Sequence, residues 1–267
     1  VSDRAERFLA LHVPGEPLLL GNVWDAGTAR QLATLGYRAL ATTSSGHAGT
    51  LGRVDGKVDR EEALAHAVAI AAATSLPVSA DLENGFRDDP EGVAETVRWA
   101  AATGLAGCSI EDHPQAGEPG VYDAAFAAER VAAAAEAARA GGARVVLTAR
   151  AENFLHGRRD LADTIARLQS FQEAGADVLF APGLGELADV ESLVRSVDRP
   201  VNVLIRPGMT VAALAAAGVA RISVGGAFHG VSLAAVDAAA AELLERGTTS
   251  WLEQSPRGAR VRARAFE

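Results

Sequence analysis

Two short segments concentrate carboxylates: Val78-Ser-Ala-Asp81-Leu-Glu83-Asn-Gly85-Phe86 and Ser109-Ile-Glu111-Asp112. Each is a β-type run ending in acids, so two neighbouring strands would deliver acidic groups to one edge of a sheet. Side chains alternate along a strand, which places Asp81 and Glu83 on one face and Leu82 on the other. Carboxylates gathered in one place repel one another unless a cation holds them. A few hard oxygen donors, with room left for water and substrate, suit Mg²⁺, with Mn²⁺ as its substitute. A solvated strand end is the plain alternative for Asp81 and Glu83, and the nearby Glu111 weighs against it. For Asp112, capping of the following loop through backbone N–H groups is an equal reading.

The elements that must position these acids alternate along the chain. Eight β-type runs are expected at Leu18–Trp24, Ala39–Ser44, Val78–Glu83, Cys108–Asp112, Val145–Arg150, Val178–Ala181, Val201–Ile205 and Arg221–Val224. Helical patterns lie between them: Thr28–Leu35, Arg60–Ala73, Pro90–Ala102, Ala124–Ala140, Asp160–Ala174, Leu187–Val197 and Thr210–Ala217, with Leu233–Glu245 after the last run. Gly36, Gly104, Gly141, Gly175 and Gly218 stand where helices should stop in left-handed caps. Eight β/α units predict an α/β protein, a closed (β/α)8 TIM-type barrel, rather than an open doubly wound sheet. With no low-complexity linker, residues 1–267 read as one domain with a helical tail from about residue 233. In such barrels chemistry sits at the C-terminal ends of the strands. There the chain places Trp24-Asp25, Ser44-Ser45-Gly46, Asp81 and Glu83, Glu111-Asp112, and Arg150.

Composition narrows the setting. With 49% hydrophobic residues the chain has material for a large core, and a net charge of −9 argues against nucleic acid or an anionic membrane as partner. A small anionic substrate remains compatible, because cations in a pocket outvote the global charge. The single cysteine, Cys108, excludes an internal disulfide and a Cys-rich zinc site, and it is expected to serve packing within a strand. The charged N-terminus carries no apolar signal segment, and no run reads as long and uncharged enough to span a bilayer. A cytoplasmic location is the expectation.

The landmarks Gly21-Asn-Val-Trp-Asp25, Thr43-Ser-Ser-Gly46, Asp81-Leu-Glu-Asn-Gly85, Ile110-Glu-Asp112 and Thr148-Ala-Arg-Ala-Glu152 resemble those of the isocitrate lyase/phosphoenolpyruvate mutase superfamily. The resemblance runs from about Gly21 to Gly225. It implies a Mg²⁺-dependent barrel that makes or breaks C–C or P–C bonds in small α-oxo or α-hydroxy carboxylates through an enolate. It also implies a homo-oligomer, a tetramer or dimer, with the C-terminal helix exchanged between subunits. By the resemblance, Asp81 is the direct metal ligand, Glu83 and Glu111 hold the ion through waters, and Asp55 is a further acid near it. The Ser45 and Gly46 amides would hold a substrate carboxylate or enolate oxygen, and Arg150 would grip an anionic group at two points.

The departures bear on the reaction. Family lyases carry a catalytic cysteine in the loop after the Glu-Asp strand, and the phosphonate branch has a Lys- and Asn-bearing loop. Here that loop reads His113-Pro-Gln-Ala-Gly-Glu118-Pro-Gly-Val-Tyr122, with neither cysteine nor lysine. His113 is its first candidate proton donor, with Tyr122 and Glu118 as lesser ones. His47, His156 and His229 read as structural or incidental. Trp24 is a pocket wall or a plug of the barrel end, and Arg150 has a second reading as ion-pair partner of Glu152. Ser45-Gly46 and Asp55 have second readings as ordinary turns. The arginines of Arg257–Arg264 read as an exposed or subunit-contacting tail. Together these features predict a Mg²⁺-dependent C–C lyase or decarboxylase. Phosphonate-type P–C chemistry is one alternative, and a non-catalytic, metal-dependent carboxylate-binding protein is another.

Overall fold

Short apolar runs and alanine-rich segments become strands and helices in the computed structural model, which describes residues 2–114, 120–140 and 144–266. The strands are β1 (Leu18–Val23), β2 (Leu40–Thr42), β3 (Val78–Asp81), β4 (Gly107–Glu111), β5 (Val146–Arg150), β6 (Val178–Phe180), β7 (Val201–Leu204) and β8 (Arg221–Ser223). All neighbours pair in parallel and β8 closes on β1, giving the expected (β/α)8 barrel. The helices are α1 (Ser2–Ala10), α2 (Ala26–Ala33), α3 (Ser44–Thr50), α4 (Arg60–Ala72), α5 (Pro90–Ala102), α6 (Ala124–Arg139), α7 (Leu161–Glu173), α8 (Leu187–Ser196), α9 (Val211–Ala216), α10 (Ala227–Arg246) and α11 (Ser255–Phe266). Several begin at an acid that caps them: Asp59, Asp89, Asp123 and Asp160 each accept first-turn N–H groups. The expected cap glycines Gly36, Gly104, Gly175 and Gly218 all have positive φ, and Gly141 lies outside the described residues.

Three helices depart from the sequence-based expectation. α3 follows β2 at once, where the Thr-Ser-Ser-Gly run reads as a turn, because the Thr43 side chain caps it. α11 is helical, as the expected tail is, but it packs against the chain's own α2, with Arg264 Nε donating to Thr34 Oγ1 at 2.9 Å. α1 lies across the N-terminal ends of the strands, with Ala5 and Phe8 fully buried among Leu18, Leu20, Val146 and Val178.

α10 also begins earlier than expected, at Ala227, and runs for 20 residues. It has the length and apolarity of a helix able to cross a membrane, with a mean hydropathy of 1.3, which corrects the expectation that no segment reaches that measure. Its place directly after β8, with Phe228 packed on the core, is that of the barrel's eighth helix.

The seating of α1 depends on Gly107. A Cβ there would stand 2.9 Å from both Phe8 Cε1 and the Val146 carbonyl oxygen. Gly107→Ala is therefore expected to destabilise the protein by about 1–3 kcal/mol, read from urea unfolding. An unchanged midpoint would show that Phe8 does not press on this strand.

Candidate active site

Asp81 closes β3, and its backbone N–H donates to Thr42 Oγ1 at 2.8 Å. Strand pairing sets Asp81 beside Ser109 and Glu111 beside Arg150, so three strand ends meet in one layer. The Arg150 guanidinium joins them. Its Nη1 is 2.9 Å from Asp81 Oδ1, Nη2 is 3.0 Å from Glu111 Oε2, and Nε is 2.8 Å from Glu152 Oε1. Both readings of Arg150 thus meet in one residue, which pairs with Glu152 and also stands at the centre of the acidic cluster. Burial alone would lower its pKa, but Glu111, Glu152 and Asp81 outweigh burial and raise it well above the ordinary value.

Glu83 reaches the cluster by a different route from the one its spacing suggests. β3 ends at Asp81, and Glu83 has φ of 49°, so strand alternation does not extend to it. The turn nevertheless brings Glu83 to the wall of a cavity of about 340 Å³ shared with Asp55, Glu111, Arg150 and Glu152. Burial, then Asp81 and Asp55, push the Glu83 carboxyl up to about 8. Burial raises Glu111 well above the usual carboxylate range, although Arg150 opposes it. Asp55 is raised as well, by burial first and by Asp81, against a hydrogen bond from Ser44.

One guanidinium therefore faces five carboxyl groups: Asp55, Asp81, Glu83, Glu111 and Glu152. This all-oxygen donor set fits a hard divalent cation, which would offset the burial and the mutual repulsion that raise Glu83 and Glu111. Among the described residues no three acidic, histidine or cysteine side chains converge tightly enough to enclose a metal.

Around this layer the backbone is pinned by buried arginines that sequence reasoning missed. Asp112 accepts the Glu152 N–H at 2.8 Å and pairs with buried Arg167 at 3.1 Å, so it positions a neighbouring strand end and does not itself face the cavity. Arg130 donates to the carbonyls of Asn84, Arg87, Asp88 and Glu111, clamping the Glu83 turn to β4. A lone arginine in a helix gives no sign of such a role.

Several expected site residues are placed otherwise. The Gly46 N–H faces Thr43 Oγ1 at 3.4 Å as part of the α3 cap, and Gly46 is buried close to Trp24. Ser45 does line the lumen, its Oγ 3.1 Å from Thr43 Oγ1, while the adjacent Ser44 N–H donates to Asp81 Oδ2 at 3.2 Å. The amide contact with the cluster therefore comes from Ser44. Trp24 lines neither cavity. β1 ends at Val23, and the indole packs edge-on against His229, ring centroids 5.1 Å apart, away from both cavities.

His113 lies at the cavity as expected, its Nδ1 2.6 Å from the Gly120 carbonyl oxygen, to which it donates. His156, expected to be incidental, stacks on it with ring centroids 3.5 Å apart and lines the same cavity. Tyr122 is structural: its hydroxyl bonds Asp88 and Asn84, and Arg130 lies 4.2 Å over its ring. Glu118 lies outside the described residues. Cys108 is fully buried, and burial pushes its thiol up to about 12, which suits packing and not reactivity.

Comparison with known proteins agrees with this geometry. Residues 8–244 match the family model of phosphoenolpyruvate phosphomutase. The chain is 34% identical to an uncharacterised protein of Mycobacterium tuberculosis over 87% of each chain. It is 29% identical to 2-methylisocitrate lyase of Escherichia coli over 72% of this chain and 70% of that one. A solved structure from Burkholderia cenocepacia, of a protein assigned only broadly to lyase or mutase, superposes with a TM-score of 0.92 at 47% identity. It covers 98% of this chain and 95% of that one. From the barrel, the carboxylate cluster at its strand ends and these matches together, the chain belongs to the phosphoenolpyruvate phosphomutase family, within the isocitrate lyase/phosphoenolpyruvate mutase superfamily.

Proposed function

We propose that the protein is a divalent-metal-dependent enzyme that cleaves the C–C bond one carbon removed from the oxo group of a small α-oxo carboxylate, so that an enolate is left behind, with decarboxylation as the form of that cleavage. The convergence of Asp55, Asp81, Glu83 and Glu111 around Arg150 supports this reading most directly. Asp81 would hold the metal directly, with Glu83, Glu111 and Asp55 around it through water. When bound, Mg²⁺ or Mn²⁺ supplies positive charge to substrate oxygens on which negative charge accumulates.

The chain's own groups do the rest. Arg150 offers a planar, fixed cation to a substrate carboxylate or to the oxygen of the forming enolate. Glu152 and Glu111 orient it by holding Nε and Nη2. In decarboxylation of a β-carboxylated oxo acid, the C–C bond breaks and its electron pair passes into the enolate as carbon dioxide departs. No base must act first. The enolate carbon then takes a proton, from His113 or from water at the mouth, after the slow step. The loop after β4 lacks the lysine expected of the phosphonate branch, which ranks P–C chemistry lower.

A second reading rests on the stacked His113–His156 pair. It provides the general base that a retro-aldol lyase needs to remove an alcohol proton, the bond change named for the Escherichia coli relative. The same proposal includes a homo-oligomer. α10 exposes Val231 and Val236 at 69% and Leu244 at 86%, an apolar face that a second copy of the chain would cover.

Titration calorimetry of the metal-free protein with oxalate, a planar mimic of an enolate, tests the site. Binding is expected only with Mg²⁺ and at least about tenfold weaker in Asp81→Ala. Equal binding by both proteins, or binding indifferent to metal, would sink the metal site. Carbon dioxide release from oxaloacetate separates the two readings. For a decarboxylase, His113→Ala and His156→Ala should stay within about tenfold of wild type. No carbon dioxide from oxaloacetate with the wild type, together with cleavage of 2-methylisocitrate that falls by about 10²–10⁴-fold in His113→Ala, points to the lyase reading.

A further inference from the structure

Arg221 opens β8 at the closed end of the barrel, and the residue is only 3% exposed. Its Nε–H donates to Asn202 Oδ1 at 2.9 Å and its Nη2 to Thr148 Oγ1 at 3.1 Å. Nη1 lies 3.1 Å from His12 Nε2. The other ring nitrogen, Nδ1, is 2.9 Å from the Phe8 carbonyl oxygen, which only accepts. The His12 proton therefore sits on Nδ1, Nε2 presents its lone pair to Arg221, and the imidazole is neutral. Burial, with Arg221 alongside, pushes the His12 pKa down to about 3, in keeping with that state.

All three partners of Arg221 are thus uncharged, and among the described residues no carboxylate pairs with it. A guanidinium has about five N–H donors, and three bonds leave two of them without a protein acceptor. Arg130, equally buried, differs in spending its donors on four backbone carbonyls. Arg221 also faces open space. A cavity of about 230 Å³ runs through the lumen from Asp55 and Arg150 at the mouth to Asn202 and Arg221 at the floor, walled by the hydroxyls of Ser79 and Ser223. A buried cation with spare donors, beside a cavity large enough for several atoms, is half of an ion pair.

We infer that the barrel lumen binds a small anion, a halide or a carboxylate group, against the Arg221 guanidinium. This site stands on Arg221 and the cavity alone, whatever reaction the mouth performs. The anion is either a free inorganic ion or the carboxylate of an organic acid that reaches down from the mouth.

Crystals grown in sodium bromide test it through the anomalous signal. The expected result is a bromide within hydrogen-bonding distance of Arg221. In solution, thermal unfolding in sodium bromide should exceed that in sodium gluconate at equal ionic strength by about 2–4 °C, and Arg221→Met should abolish the difference. If that variant does not fold, the wild-type crystals and the two salts decide the matter. Bromide found elsewhere only, with no halide-specific shift, overturns the inference. Adding oxalate with Mg²⁺ identifies the natural source. Displaced bromide marks the carboxylate of a bound acid, and retained bromide marks a free ion. Failure of oxalate to bind would count against the proposed reaction and leave the bromide result untouched.

Discussion

Arg150 is the point at which this active site is joined. Its planar fork reaches one carboxylate on each of β3 and β4 and a third just past the end of β5. Buried ion pairs of this kind add little net stability, because desolvation cancels most of the attraction, but they fix geometry well. Removing the arginine would leave several acids packed together with no counter-charge. The acids in turn stop the arginine from swinging out to solvent. Each group holds the others at an angle that none would keep alone, and the outer arginines Arg130 and Arg167 hold the backbone beneath them.

The balance of charge explains why the cluster reads as a binding site more than as a stabilising one. A single positive group faces five acids, and burial first, with their mutual repulsion behind it, raises Glu83 and Glu111. The fold tolerates this because the acids lie at strand ends, where a barrel concentrates function and not its packing. Beside the cluster, two imidazoles from different loops, His113 after β4 and His156 after β5, stack on one another.

Much of this is legible in the sequence. Each strand lies within or overlaps its expected run, since a parallel strand buried on both faces must be a short apolar run bounded by turn residues. Asp81, Glu111 and Arg150 stand out because acids and a cation at successive strand ends serve chemistry more readily than packing. Asp55, in a loop, stands out only through the family resemblance. Glu83 is picked out by a faulty route: periodicity holds only while the strand lasts, and a left-handed residue at its end has no signature in a glutamate. Gly46 enters helix α3 and Trp24 lies just past β1 against His229, placements that a reading of local runs does not report. His156 and Arg221 escape a reading of the sequence because their importance lies in neighbours distant along the chain, and no local pattern reports that.

The helix across the bottom of the barrel has a further consequence. Phe8 of α1 and the following His12 lie against the N-terminal ends of the strands and close the lumen tube on that side. Traffic through such a tube obeys the rule of a cul-de-sac. Whatever enters last stands nearest the exit, so molecules must leave in the reverse of the order in which they arrived. The seal at one end thereby governs the sequence of events at the other.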